Sequence, residues 1–222
     1  MNALFNTIIW DCDGAEIERE SFRRIEAKVS KSVRSRFTIE EWFVARRLVH
    51  TCADFSILEN LEFSPGVITL AHNALRQGAT IYADSNMIKA GLSIPKLKQF
   101  CPDYEREEIL CPIAESDVAR YAKEHGITRA LAAIELYSRE LDGAIFLCGN
   151  APLALAGVLR LVVKRGIRPA LIVGVPVGFV NVEESKKLLD LVDIPFVRIS
   201  GRRGGSPLAV ATLHGIMESF FK

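Results

Sequence analysis

The chain has 222 residues, of which 49% are hydrophobic and 25% charged. That is an ordinary globular composition, long enough for one substantial core, so a single domain spanning 1–222 is expected. Twenty-eight Lys and Arg face 27 Asp and Glu. This near-balance excludes a global field drawing the chain onto nucleic acid or a membrane surface, so any anion site is local.

The opening stretch Leu4-Phe5-Asn6-Thr7-Ile8-Ile9-Trp10 is short, lacks a basic leader and runs into Asp11, unlike a secretory signal. No apolar run reaches roughly 20 residues, the length of a membrane span. The longest, Ala151 to Val163, is broken by Pro152 and Gly157. The five cysteines are odd in number and form no Cys-x-x-Cys. Reduced thiols and a cytoplasmic setting are the simpler expectation.

Two helices are expected first, over Ala15 to Val29 and Thr38 to Ala53. The second opens on Thr38-Ile39-Glu40-Glu41, a capping box. Ser64-Pro65 opens a helix that Gly78 closes, with Ser64 as its cap. Ala79 to Ala83 follows as a strand. Ser116 caps a helix ending near Gly126, and Thr128-Arg129 opens another. Ala144 to Cys148 is a buried strand that turns through Gly149-Asn150-Ala151-Pro152 into a helix ending at Gly166. Ala170 to Val175 is a strand, Glu183 to Val192 a helix, Phe196 to Ser200 a strand and Pro207 to Phe220 the last helix. Short apolar strands alternating with helices predict an α/β domain. Its mostly parallel sheet is covered by helices on both faces and preceded by N-terminal helices.

His50 ends the capped helix, where the dipole favours imidazolium, with Asp54 near enough to orient the ring. Such a histidine suits general acid–base work, or else simply binds the last helix carbonyls. His50, Cys52 and Asp54 are too loosely spaced for a metal site, and none is assigned. Gly201-Arg202-Arg203-Gly204-Gly205-Ser206-Pro207 joins the last strand to the last helix. Its flexible backbone, two arginines and the helix start make it the best anion site, or a solvated turn. No Gly-Lys-Ser/Thr follows, so it is not a P-loop. Asn150 lies beyond a strand carboxyl end, where open sheets bind ligands, and serves there or as a cap. Lys186 is expected in the first turn of its helix, against the dipole, which an anion nearby would explain.

Ile8-Ile9-Trp10-Asp11-Cys12-Asp13-Gly14 resembles the first motif of haloacid-dehalogenase-type phosphatases, a strand ending in Asp-x-Asp-Gly. The late carboxylate pair that such enzymes use to hold Mg²⁺ is missing, since the late strands end in Cys148-Gly149-Asn150, Gly174-Val175-Pro176 and Ser200-Gly201-Arg202.

A second resemblance covers nearly the whole chain from Ala15. It is carried by Ile17-Glu18-Arg19-Glu20-Ser21-Phe22, Arg47-Leu48-Val49-His50-Thr51-Cys52-Ala53-Asp54-Phe55, Asp84-Ser85-Asn86-Met87, Thr128-Arg129, Gly149-Asn150-Ala151-Pro152, Gly174 to Val180 with Glu184-Ser185-Lys186, and Gly201 to Ser206. In this order they resemble the precorrin-8X methylmutase family, and within it the cobalt-precorrin-8 branch. The resemblance implies an isomerase of corrinoid (vitamin B12) biosynthesis that moves a methyl group from ring carbon C11 to C12. It implies no methyl donor, nucleotide or redox cofactor, any cobalt belonging to the substrate. It puts the proton-handling role on His50, substrate contacts on Ser21, Arg47 and Arg129, and a homodimer around the macrocycle. Arg47, Arg129, Lys186, Arg202 and Arg203, with the Gly204-Gly205-Ser206 backbone, would meet the acetate and propionate groups around a flat apolar ring. A non-catalytic corrinoid carrier on the same scaffold is the alternative.

Overall fold

The computed structural model describes residues 3–221. Met1, Asn2 and Lys222, the ends of the expected 1–222 domain, lie outside the described residues. A 3₁₀ turn over Ala3–Thr7 leads to α1 (Gly14–Lys28), α2 (Lys31–Arg34) and α3 (Ile39–Cys52). Thr38 and Glu41 form the expected capping box on α3, Glu41 N–H donating to Thr38 Oγ1 at 3.1 Å and Thr38 N–H to Glu41 Oε2 at 2.8 Å. Then come β1 (Leu61–Phe63), α4 (Val67–Arg76), β2 (Ile81–Ala83), α5 (Asn86–Gly91), α6 (Ile94–Lys98), α7 (Ser116–His125) and α8 (Arg129–Leu136). The last third alternates strictly: β3 (Ile145–Cys148), α9 (Pro152–Arg165), β4 (Leu171–Gly174), α10 (Val182–Lys187), β5 (Phe196–Ile199) and α11 (Ser206–Phe220).

The sheet order is β1-β5-β4-β3-β2, parallel except for the β1 edge. Alternate strand residues feed two cores. Ile145 and Leu147 of β3 join the layer built by α3, α4 and α11, whereas Phe146 and Cys148 join the layer under α9. Burial on both faces is why these strands read as continuous apolar runs. α11 packs closely on α3 because Gly215 offers no side chain; a Cβ there would lie 2.6 Å from Val44 Cα.

Several expectations are corrected. β1 was not foreseen; it is held by Leu61 in the core and by Glu62, which accepts from Arg198 Nε at 3.0 Å across the register. Ser64 does not cap α4. Gly66 takes that position in a left-handed conformation, and Ser64 Oγ accepts from Phe196 N–H at 2.8 Å instead. Ser116 is the first residue of α7 rather than its cap. The helix read as Glu183 to Val192 is α10 followed by a 3₁₀ turn over Leu188–Leu191. Ile8 to Asp13 is no strand. Asp13 caps α1 in a capping box with Glu16, their backbone-to-carboxylate bonds measuring 2.7 and 3.2 Å. Asp11 and Asp13 are therefore off the sheet edge, where a phosphatase nucleophile would stand.

Candidate active site

Four loops leave the carboxyl edge of the parallel strands: Asp84-Ser85 after β2, Gly149-Asn150-Ala151 after β3, Val175 to Val180 after β4, and Ser200 to Gly205 after β5. Crevices at this edge are where open α/β sheets bind ligands. The loops are braced on one another. Asp84 Oδ2 accepts from Asn150 N–H at 2.8 Å, from Ala151 N–H at 2.7 Å and from the Cys148 thiol at 3.3 Å. Asn150 is thus not the cap of α9; its side chain is exposed, and a carboxylate from the neighbouring strand binds the turn. Burial pushes the Asp84 carboxyl up, against the pull of those backbone N–H groups. Ser85 Oγ lies 2.9 Å from Ser206 Oγ at the start of α11.

Two glycines allow the close approach. A Cβ on Gly149 would stand 2.7 Å from Ser206 Cα, and one on Gly204 would stand 2.0 Å from Val175 O. Gly205 N–H donates to Val175 O at 2.9 Å.

Lys186 is the fifth residue of α10, not in its first turn as expected. It is 1% exposed, and its Nζ donates to Gly201 O at 2.8 Å and Arg203 O at 2.7 Å. The ammonium ties both ends of the arginine loop from beneath, which explains a cation there without a bound anion. Burial pulls it down to about 8, with Cys148 and Glu183 opposing. Arg202 and Arg203 are exposed above. Arg202 pairs with Glu183 at 3.0 Å and stands 5.6 Å from the ring of Phe179, itself 84% exposed. Arg203 Nη1 meets Asp54 Oδ2 at 2.6 Å and also bonds Ser56 Oγ.

That last pair joins the loop to α3, because Asp54 follows the end of the helix. Asp54 does not orient His50 as expected: its Oδ1 accepts from Ser56 N–H at 2.9 Å and Oγ at 2.7 Å, its Oδ2 from Arg203. The Cys52 thiol turns to the carbonyls of Leu48 and Asp54 at 3.2 and 3.6 Å. His50 is half-buried, its ring 5.3 Å from that of Phe22 on α1. Arg47, one turn earlier on α3, lies 5.3 Å from the same ring. Its Nε donates to Glu218 at 2.7 Å and its Nη2 to Glu18 at 2.8 Å. Ser21 stands on α1, its Oγ donating to Ile17 O at 2.8 Å. Arg129 is exposed at the start of α8, and among the described residues no hydrogen bond or ion pair ties it to the loops.

The structure therefore gathers Asn150, Lys186, Arg202, Arg203, Gly204, Gly205 and Ser206 at one edge, and sets Ser21, Arg47 and His50 on two packed helices linked to that edge through Asp54. Exposed Val177, Phe179 and Val180 on the edge loops, and Met87 at the start of α5, add apolar surface. Sequence reasoning missed Asp84 as a brace and Glu18 and Glu218 as the partners of Arg47. An acid directly after an apolar strand was the available signal for the first.

A family profile for precorrin-8X methylmutase matches residues 16–219. The chain belongs to the precorrin-8X methylmutase family. It is 38% identical to a cobalt-precorrin-8 methylmutase of Leptospira interrogans, over 92% of this chain and 93% of that one. To a precorrin-8X methylmutase of Pseudomonas aeruginosa it is 35% identical, over 92% and 95%. A solved precorrin-8X methylmutase structure from Thermus thermophilus superposes with a TM-score of 0.80 at 37% identity, over 92% and 95% of the two chains. The α/β fold expected from the alternation of strands and helices, with a mostly parallel sheet, is the fold observed. No helix among the described residues is long and apolar enough to cross a membrane.

Proposed function

We propose that the chain isomerises a precorrin-8-type macrocycle, moving the ring methyl from C11 to C12, with His50 exchanging the proton that selects the rearranging tautomer. Family membership carries the reaction. The observation that carries the site is the Arg203–Asp54 pair, which brings the cationic loop at the sheet edge to the helix end that bears His50. A flat ring ringed with acids needs an apolar slot with positive groups at its rim. Phe179, Val180 and Met87 supply exposed apolar surface, and Arg202 and Arg203 supply the positive groups, with the α11 start at Ser206 adding the helix dipole and Gly204 and Gly205 shaping the turn. Arg47 and Ser21 approach from the helical side, Asn150 adds to the rim at the edge, and Arg129 joins it on the strength of the resemblance alone. Lys186 contributes by fixing the arginine loop. Holding the ring in one geometry is a large part of the catalysis, since the shift is intramolecular. This reading calls for no nucleotide or redox group, and any cobalt arrives with the substrate.

The reading includes a homodimer and a cytoplasmic setting. The exposed Phe5, Ile8, Ile9 and Trp10 are apolar surface of the kind a second copy covers, and light scattering of the purified chain tests it.

The test of function is a visible-absorption assay with cobalt-precorrin-8, because the methyl shift changes the conjugated system. Wild type is expected to convert the pigment, and His50→Ala to bind it with turnover reduced at least about 100-fold. Binding without conversion by wild type would make the chain a corrinoid carrier and end the isomerase reading.

A further inference from the structure

We infer that Glu18 is a built-in competitor for the substrate: its carboxylate occupies the Arg47 guanidinium that a substrate carboxylate takes over, and the Glu18–Arg47 pair opens as the macrocycle enters. The inference rests on the reading of Arg47 as a substrate contact.

Two carboxylates meet Arg47, and they are held very differently. Glu218 is 18% exposed at its side chain and is bound twice, by Arg47 Nε at 2.7 Å and by Lys96 Nζ at 2.8 Å. Glu18 is 43% exposed and has one ion pair, with Arg47 Nη2 at 2.8 Å. Arg47 itself is 9% exposed at its side chain, wedged between Glu218 and the Phe22 ring. Of the three groups, only Glu18 can leave without exposing a buried charge.

The charge count favours the exchange. Arg47 and Lys96 balance Glu18 and Glu218, two against two, and His214 beside them is held neutral down to about 4, first by burial and then by Lys96 and Arg47. A third carboxylate entering this cluster creates an excess of negative charge. Rotation of Glu18 into water relieves it at small cost, because a half-exposed ion pair contributes little. Burial acts to raise the Glu18 carboxyl, but Arg47, with lesser help from Lys96 and His50, holds it below its usual range. It is therefore an anion at neutral pH, and the acids of an incoming ligand repel it. His50 lies one turn beyond Arg47 and shares the Phe22 ring, so the exchange would leave a substrate acid anchored next to the proton-handling group.

The test is a spectroscopic titration of wild type, Glu18→Gln and Glu218→Gln with a corrinoid carrying free acetate and propionate groups, and with one whose acid groups are amidated. Glu18→Gln is expected to bind the acidic corrinoid about two- to fivefold more tightly than wild type. That gain should shrink as salt is raised. The amidated corrinoid should not discriminate between the two proteins. Glu218→Gln should weaken acid binding, by loosening Arg47. Equal or weaker binding of the acidic corrinoid by Glu18→Gln, with wild type binding normally, overturns the exchange and leaves the active-site reading standing. Failure of wild type to bind any acidic corrinoid overturns both.

Discussion

The sheet edge and the α1–α3 face, the two walls of the proposed site, are built on opposite principles. At the edge, buried polar groups tie the loops together: Asp84 binds the Asn150-Ala151 turn through one carboxylate oxygen, Lys186 spans the arginine loop, and glycines let backbones touch. On the helical face, Arg47 and its neighbours are joined by ion pairs whose outer members reach water. The first arrangement fixes the shape of the site before any ligand arrives. The second lets charge be exchanged when an acidic ligand does. Preorganisation at one wall and adaptability at the other suit an enzyme whose chemistry is geometric but whose substrate must displace water and counter-charges to enter.

The sharpest way to break the contrast is at the edge. Gly204→Ala forces a Cβ to 2.0 Å from a carbonyl oxygen that cannot yield. A stability loss above about 3 kcal/mol, seen by thermal or urea unfolding, is expected, with corrinoid binding lost as well.

Lys186→Met comes next. It strands the carbonyls of Gly201 and Arg203 and should destabilise by about 2 kcal/mol, since each unsatisfied buried acceptor costs about 1–3 kcal/mol and loss of a buried charge offsets part. Its pH signature is specific. The folded Lys186 titrates at about 8 and its ordinary value is 10.5. Between those pH values the unfolded chain holds a proton the folded one has lost, so wild type gains stability as pH rises through that window, and the variant should lack that gain.

An effect of similar size, confined to acid pH, lies on the helical side. His214 is held neutral to about 4 against an ordinary 6.5, so stability is lost as pH falls from 6.5 toward 4. His214→Asn, which keeps an acceptor for the Ser93 N–H now bound at 3.1 Å, should remove on the order of 2 kcal/mol of that acid sensitivity. Urea unfolding at stepped pH reads it. Glu18→Gln, the smallest of all, should touch affinity and leave stability nearly unchanged.

The same division explains what the sequence disclosed. Parallel strands buried on both faces announce themselves as unbroken apolar runs, and Gly126 and Gly166 end α7 and α9 in left-handed turns as their positions suggested. The edge loops were legible because glycine, proline and arginine are concentrated there. β1 was not, since Leu61-Glu62-Phe63 is short and, unlike the equally short β2, is interrupted by a charge and only partly buried. The cap assigned to Ser64 failed because a tertiary partner takes it, its Oγ serving a strand 132 residues away, and the cap assigned to Ser116 falls one residue earlier, at Glu115. Glu18 and Glu218 lie 29 and 171 residues from Arg47, so nothing local marks them as its partners. His50 was singled out by its helix-end position and, with Arg47, by the resemblance, while the turn of Asp54 to Arg203 rather than His50 required the packed structure.

The most direct test of the account is a labelling experiment. Substrate carrying ¹³C in the C11 methyl, mixed with unlabelled substrate and turned over by the purified chain, is followed by NMR. The account predicts that all label appears on C12, with no crossover between molecules and no loss to solvent. Label remaining on C11, or scattered into the unlabelled pool, would contradict it.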